Sequence, residues 1–115
     1  MSITESDIER ILIGYDGVVV DGRSTDQLII YSLKDEVVGL VKTKSQPLYI
    51  ELRCDYNLAK QLQEYESVMP ANILNKRRFV SILLTGQLDE SDIKDQLRHA
   101  YEQTKQLVES KQTNQ

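Results

Sequence analysis

Ile8, Ile11, Leu12 and Tyr15 recur at i, i+3, i+4 and i+7, the stripe of an amphipathic helix. Thr4 stands ahead of it as an N-cap with Asp7 three positions on, Ile3 and Ile8 occupy staple positions, and Gly14 and Gly17 weaken and end it. From Gln27 the period changes to that of strands. Leu28 to Leu33 is rich in β-formers, and residues 37–41 answer it across the polar turn Lys34-Asp35-Glu36, which predicts a hairpin. After Ser45-Gln46-Pro47 the alternation is clean, with Leu48, Ile50, Leu52 and Cys54 on one side and Tyr49, Glu51 and Arg53 on the other. A strand of this pattern predicts a sheet with one wet face.

Asp55 is placed to cap a second helix with apolar stripe Leu58, Ala59, Leu62 and Tyr65, and Met69-Pro70 marks its stop. Residues 78–84 form a fourth strand, closed by Thr85-Gly86. Asp89 then caps a long helix whose Ile93, Leu97, Ala100, Tyr101, Thr104, Leu107 and Val108 trace one face. His99 falls well around the helix from that stripe and is expected to be wet. The order α-β-β-β-α-β-α describes an α+β two-layer sandwich, an antiparallel sheet with helices on one face. Residues 1–109 make a single domain in this reading, and the polar ending 110–115 is expected to be a frayed, disordered tail.

Composition narrows the chemistry. At 115 residues the chain has room for one core, and a net charge of −4 works against non-specific attraction to phosphate polymers. One cysteine, Cys54, excludes an internal disulfide, and the segment MSITESDIER lacks the blocks of a secretory signal, so the expected compartment is the cytoplasm. No apolar run approaches membrane-spanning length. Cys54 shares the inward register of its strand and reads as a small hydrophobe. With one Cys and one His a zinc site is not expected. Asp89, Glu90 and Asp92 are explained by the start of a helix. No nucleophile, base and orienting group can be assembled, so the expectation is a protein that is not an enzyme and carries no cofactor.

Charge distribution offers one feature above this background. No acidic residue occurs between Glu66 and Asp89, where Lys76, Arg77 and Arg78 are consecutive, and between Glu36 and Glu51 the only charges are Lys42 and Lys44. These stretches hold +5, leaving −9 for the rest of the chain. Such asymmetry suits an anion-binding face on an acidic protein; the alternative is a solvated edge device that discourages strand-to-strand aggregation.

The segments LYIELRCDYNLAKQLQEY and MPANILNKRRFVSILLTGQL, followed by a helix containing His99-Ala100-Tyr101-Glu102, resemble the MmcQ/YjbR family of small bacterial proteins. Leu52-Arg53-Cys54-Asp55, Met69-Pro70, Asn75-Lys76-Arg77 and Thr85-Gly86 hold the places of that family's recurring segments. The chain departs from it at Asn72, Ile73, Arg78 and Phe79, where family members carry aromatic and histidine residues and a Trp at the strand entry. The resemblance implies a compact α+β fold and a non-enzymatic, DNA-binding role. Lys76, Arg77, Arg78, Lys42 and Lys44 would then contact phosphates, with Asn75 orienting the loop. The same basic loop would also suit a small-anion sensor. A protein-interaction module or homodimer, using an exposed sheet edge or the Tyr49 face, remains the alternative.

Overall fold

The computed structural model describes residues 3–113, with the side chain of Thr113 excepted. Its elements are α1 (Glu5–Ile13), β1 (Val18–Val20), β2 (Leu28–Leu33), β3 (Glu36–Lys42), β4 (Leu48–Arg53), α2 (Tyr56–Leu62), β5 (Val68–Pro70), β6 (Phe79–Leu84) and α3 (Glu90–Thr113). The six strands form one antiparallel sheet in the order β1-β2-β3-β4-β6-β5. The α+β class and the antiparallel sheet are as the pattern predicts; β1 and β5, three residues each, are additional edge strands. Met69-Pro70 therefore does not stop a helix. Helix α2 already ends at Leu62, and Pro70 lies in an edge strand, where its missing N–H costs no ladder bond.

Local chemistry accounts for the elements. Thr4 and Asp7 form a reciprocal capping box at α1, with Thr4 Oγ1 accepting from the Asp7 N–H at 3.2 Å and Asp7 Oδ2 accepting from the Thr4 N–H at 2.9 Å. The β2–β3 hairpin turns on Lys34 and Asp35 alone, both left-handed at φ 48° and 71°, so Glu36 is the first residue of β3. Gly39 is required where β3 meets β4, because a Cβ there would stand 2.5 Å from the Glu51 carbonyl oxygen.

One face of the sheet carries the core. Ile50, Leu52, Val80 and Ile82 are fully enclosed there by Ile8 and Leu12 of α1 and Leu97 and Ala100 of α3, while α2 contributes Ala59. Three expectations about the helices need correction. Tyr65 lies beyond the end of α2 and is exposed. Leu107 is only half-buried, since Thr104 and Val108 occupy the sheet-facing side at that end of α3. Residues 110–113 are helical rather than a frayed tail, and Lys111 pairs with Glu36 at the start of β3; residues 114–115 lie outside the described residues.

The opposite face is not wet. Glu51 is completely buried and Arg53 is 8% exposed, beside the enclosed Leu40 and Ser81. The connection formed by residues 71–78 folds back over them, a cover that strand alternation does not reveal.

Because Leu97 is fully enclosed between α3 and the sheet, Leu97→Ala should lower unfolding free energy by about 2–5 kcal/mol in urea denaturation. A loss below about 1 kcal/mol would mean that α3 does not present this face to the sheet.

Candidate anion-binding site

The connection between β5 and β6 is built around two side chains that take up its backbone N–H groups. Glu51 Oε1 accepts from the Leu74 N–H at 2.7 Å, and Oε2 accepts from the N–H groups of Asn72 and Ile73, both at 2.9 Å, and from the Tyr49 hydroxyl. One buried carboxylate is thereby satisfied by four donors, three of them consecutive in the chain. Downstream, Asn75 Oδ1 accepts from the Arg77 N–H at 2.8 Å, and the Asn75 carbonyl accepts from Arg78 and Phe79 at 3.1 and 3.0 Å. Asn75 thus ties together the backbone of the residues that follow it.

Lys76, Arg77 and Arg78 project from this loop into solvent. The arginines of the chain make the contrast. Arg10, Arg23, Arg53 and Arg98 each meet a carboxylate, whereas Arg77 and Arg78 have no ion pair among the described residues. Lys42 and Lys44 do not join them. Lys42 lies opposite Tyr49 in the ladder and Lys44 follows it in the β3–β4 connection, while the basic loop enters β6 at Phe79, opposite Arg53. The four steps from Tyr49 to Arg53 along β4 separate the two groups by about 13 Å. The acid-free stretches therefore form two basic places at opposite ends of the sheet, and the backbone N–H of Lys44 is tied to Glu5 of α1 at 3.0 Å.

At the Arg53 end three segments enclose a cleft of about 720 Å³. The β4–α2 junction supplies Arg53, Cys54, Asp55 and Tyr56; the loop supplies Asn75, Arg77 and Arg78; and α3 supplies Gln103, Gln106 and Leu107. The junction is held from both sides, by the Cys54 N–H donating to the Arg78 carbonyl at 2.9 Å and by the Asp55 N–H donating to His99 Nε2 at 3.1 Å. His99 is accordingly half-buried and not wet. Its place on the flank of α3 is what lets it reach β4's end rather than bulk water.

Burial dominates the electrostatics of Arg53. The Arg53 guanidinium lies over the Phe79 ring at 4.6 Å, donates from Nε to the Val37 carbonyl at 2.9 Å and stands 3.7 Å from Glu36. Burial lowers its pKa, Glu36 opposes that shift, and the neighbouring Arg78 adds to it by repulsion. Cys54, 4% exposed, has its thiol pushed up to about 12 by burial and then by Asp55, which suits a packing role and not a nucleophile. Among the described residues no three His, Cys, Asp or Glu side chains group as metal ligands, and no helix is long and apolar enough to cross a membrane.

Sequence pattern alone missed Arg53, Tyr56, Gln103 and Gln106. Arg53 was assigned to a wet face by alternation, and the glutamines carry no motif. Only the adjacency of Tyr56 to the capping Asp55 fixes in advance that an aromatic ring stands at the helix entry.

Solved structures with a similar fold include protein DR2400 of Deinococcus radiodurans, a DUF419 domain, at a TM-score of 0.80 and 20% identity over 87% of this chain and 77% of that one. A protein from Pseudomonas syringae aligns at a TM-score of 0.70 and 18% identity, over 87% of this chain and 97% of its own. At these identities the likeness concerns the fold alone. No family model and no curated protein matches the chain.

Two measurements check the loop and the junction. Glu51→Gln should cost at least about 2 kcal/mol and accelerate amide exchange at Ile73 and Leu74, because an amide N–H₂ would face N–H donors; wild-type exchange at those amides would refute the tie. Cys54 should react slowly with a disulfide reagent at mild alkaline pH in the native chain and rapidly in guanidinium, whereas equal rates would show the thiol to be open.

Proposed function

We propose that this chain is a cytoplasmic, non-enzymatic protein of the MmcQ/YjbR kind that binds DNA weakly through the phosphate backbone, using residues 75–78. The observation that carries the reading is the run of three exposed cations on a loop fixed by Asn75 and Glu51, with Arg77 and Arg78 unpaired among the described residues. Phosphate oxygens are the natural partners of such guanidinium groups, which match them in a bidentate fork. The family reading rests on the Leu52-Arg53-Cys54-Asp55 and Asn75-Lys76-Arg77 segments, and the likeness to a DUF419 domain is compatible with it. Lys42 and Lys44, at the other end of the sheet, would serve only a partner long enough to span it.

The interaction-module alternative is favoured by a separate observation at the sheet edge. In β1, Val19 and Val20 are 54% and 46% exposed on a strand with one free side. The Tyr49 face no longer offers a surface for that reading, since Tyr49 is half-buried and bound to Glu51.

Fluorescence-anisotropy titrations of DNA over a salt series decide between them. Replacing Lys76, Arg77 and Arg78 together by Ala should flatten the slope of log affinity against log salt by up to about three units, at about 0.9 per lost contact with duplex. Stability should change by only about 0.5 kcal/mol, as is usual for exposed side chains. Absence of wild-type binding at low salt, or equal binding by the variant, would remove the DNA reading and leave the β1 edge as the better surface.

A further inference from the structure

The cleft beside the basic loop has a chemistry that phosphate contact alone does not explain. Its loop wall carries Arg77 and Arg78, which have no ion pair among the described residues, and the end of β4 contributes Arg53. Arg53 is already held by Glu36 and the Val37 carbonyl, which leaves Arg77 and Arg78 as the cations of the cleft that meet no carboxylate among the described residues. The opposite walls are different in kind. Tyr56 is 50% exposed at the entry of α2, with Lys60 Nζ 4.8 Å from its ring centroid, and Gln103 and Gln106 of α3 line the same space.

We propose that this cleft takes one nucleotide unit with an unstacked base, the phosphate on Arg77 and Arg78 and the base against Tyr56. A duplex keeps its bases stacked within the helix and offers a flat ring nothing to stack on, whereas a single strand or a free nucleotide supplies both a phosphate and a π-face. The volume of about 720 Å³ falls within the roughly 300–1,000 Å³ of sites that enclose small ligands. Asp55 sets the polarity. Its Oδ2 is taken by the N–H groups of Asn57 and Leu58 at 3.1 and 3.2 Å, and its negative charge keeps phosphate away from the Tyr56 end. The glutamine amides, each with donor and acceptor, are suited to the polar edge of a base.

This inference rests on the nucleic-acid reading for its phosphate contacts, and the test separates the two. Affinities are measured for a single-stranded oligonucleotide, its duplex, an abasic strand of equal length and a nucleoside 5′-monophosphate. The proteins compared are the wild type, Tyr56→Phe, Tyr56→Leu and the triple Ala variant of residues 76–78. The base-bearing strand should bind more tightly than the duplex and the abasic strand. Tyr56→Leu should weaken the base-bearing strand by about 5-fold or more and leave the abasic strand unchanged, which also shows that the variant is folded, while Tyr56→Phe retains the affinity. Tight binding of the monophosphate identifies a free nucleotide as the source of the unit, and weak binding identifies a strand; either supports the cleft as a nucleotide site. If base-bearing and abasic strands bind alike, or Tyr56→Leu has no effect, while the triple variant still loses affinity, the cleft proposal is overturned and the phosphate reading survives. If no nucleic acid or nucleotide binds the wild type, both are overturned.

Discussion

A single buried carboxylate organises the connection between β5 and β6. Glu51 stands in the middle of β4 with no solvent exposure, and its oxygens are satisfied by three successive backbone N–H groups and a tyrosine hydroxyl. A carboxylate in that position is tolerable only because both of its oxygens are hydrogen-bonded, so the path of the chain that supplies those donors is tied to the strand itself. The β5–β6 connection, which would otherwise be a free loop, is thereby laid across the sheet and delivers Asn75, Lys76, Arg77 and Arg78 to one place. Rigidity there matters, since a cation on an ordered backbone loses less freedom when it meets an anion.

The same end is braced from a second direction. Cys54 and Asp55 lead from β4 directly into α2, and their N–H groups are accepted by the Arg78 carbonyl and by His99 Nε2. Strand, loop and long helix therefore meet at Cys54 and Asp55, and the cleft is the space left where three rigid segments converge. Helix α3 extends far enough to form a wall because Lys111, in its final turn, reaches Glu36 at the first residue of β3.

The elements with strong periodicity were legible in the sequence, and the features that depend on long-range cover were not. The Thr4 box, the β2–β3 hairpin and the buried stripe Ile93, Leu97, Ala100 follow from local chemistry that operates wherever the chain is placed. Strand β4 shows the limit. Its alternation is real, but the polar side chains of a strand look alike in sequence whether water or a returning loop lies over them, and Glu51 and Arg53 were read as wet for that reason. Strands β1 and β5 are too short for a period of two to register, and Pro70 argues locally against a strand that its edge position permits. Of the candidate site, the basic loop is visible in sequence as a run of charge after Asn75. The grouping of Lys42 and Lys44 with it was an artefact of adding charge along the chain, because antiparallel pairing sends the two stretches to opposite ends of β4.

An acidic chain can still present an effective cationic surface, and the ion pairs explain how. On the outer side of α3, Lys94 pairs with Glu90 at 3.1 Å, and Arg98 pairs with Asp95 at 3.1 Å and Glu102 at 3.5 Å, so part of the negative charge there is spent within the helix. Charges separated by more than about 8 Å in physiological salt are largely screened from one another. The net charge of −4 then governs solubility and long-range approach, whereas affinity at contact is set by the few groups within reach of the partner. At the loop the exposed cations are Lys76, Arg77 and Arg78, which have no ion pair among the described residues, unlike the other arginines. A net negative charge and a locally cationic loop therefore coexist in this chain, because the two act over different ranges.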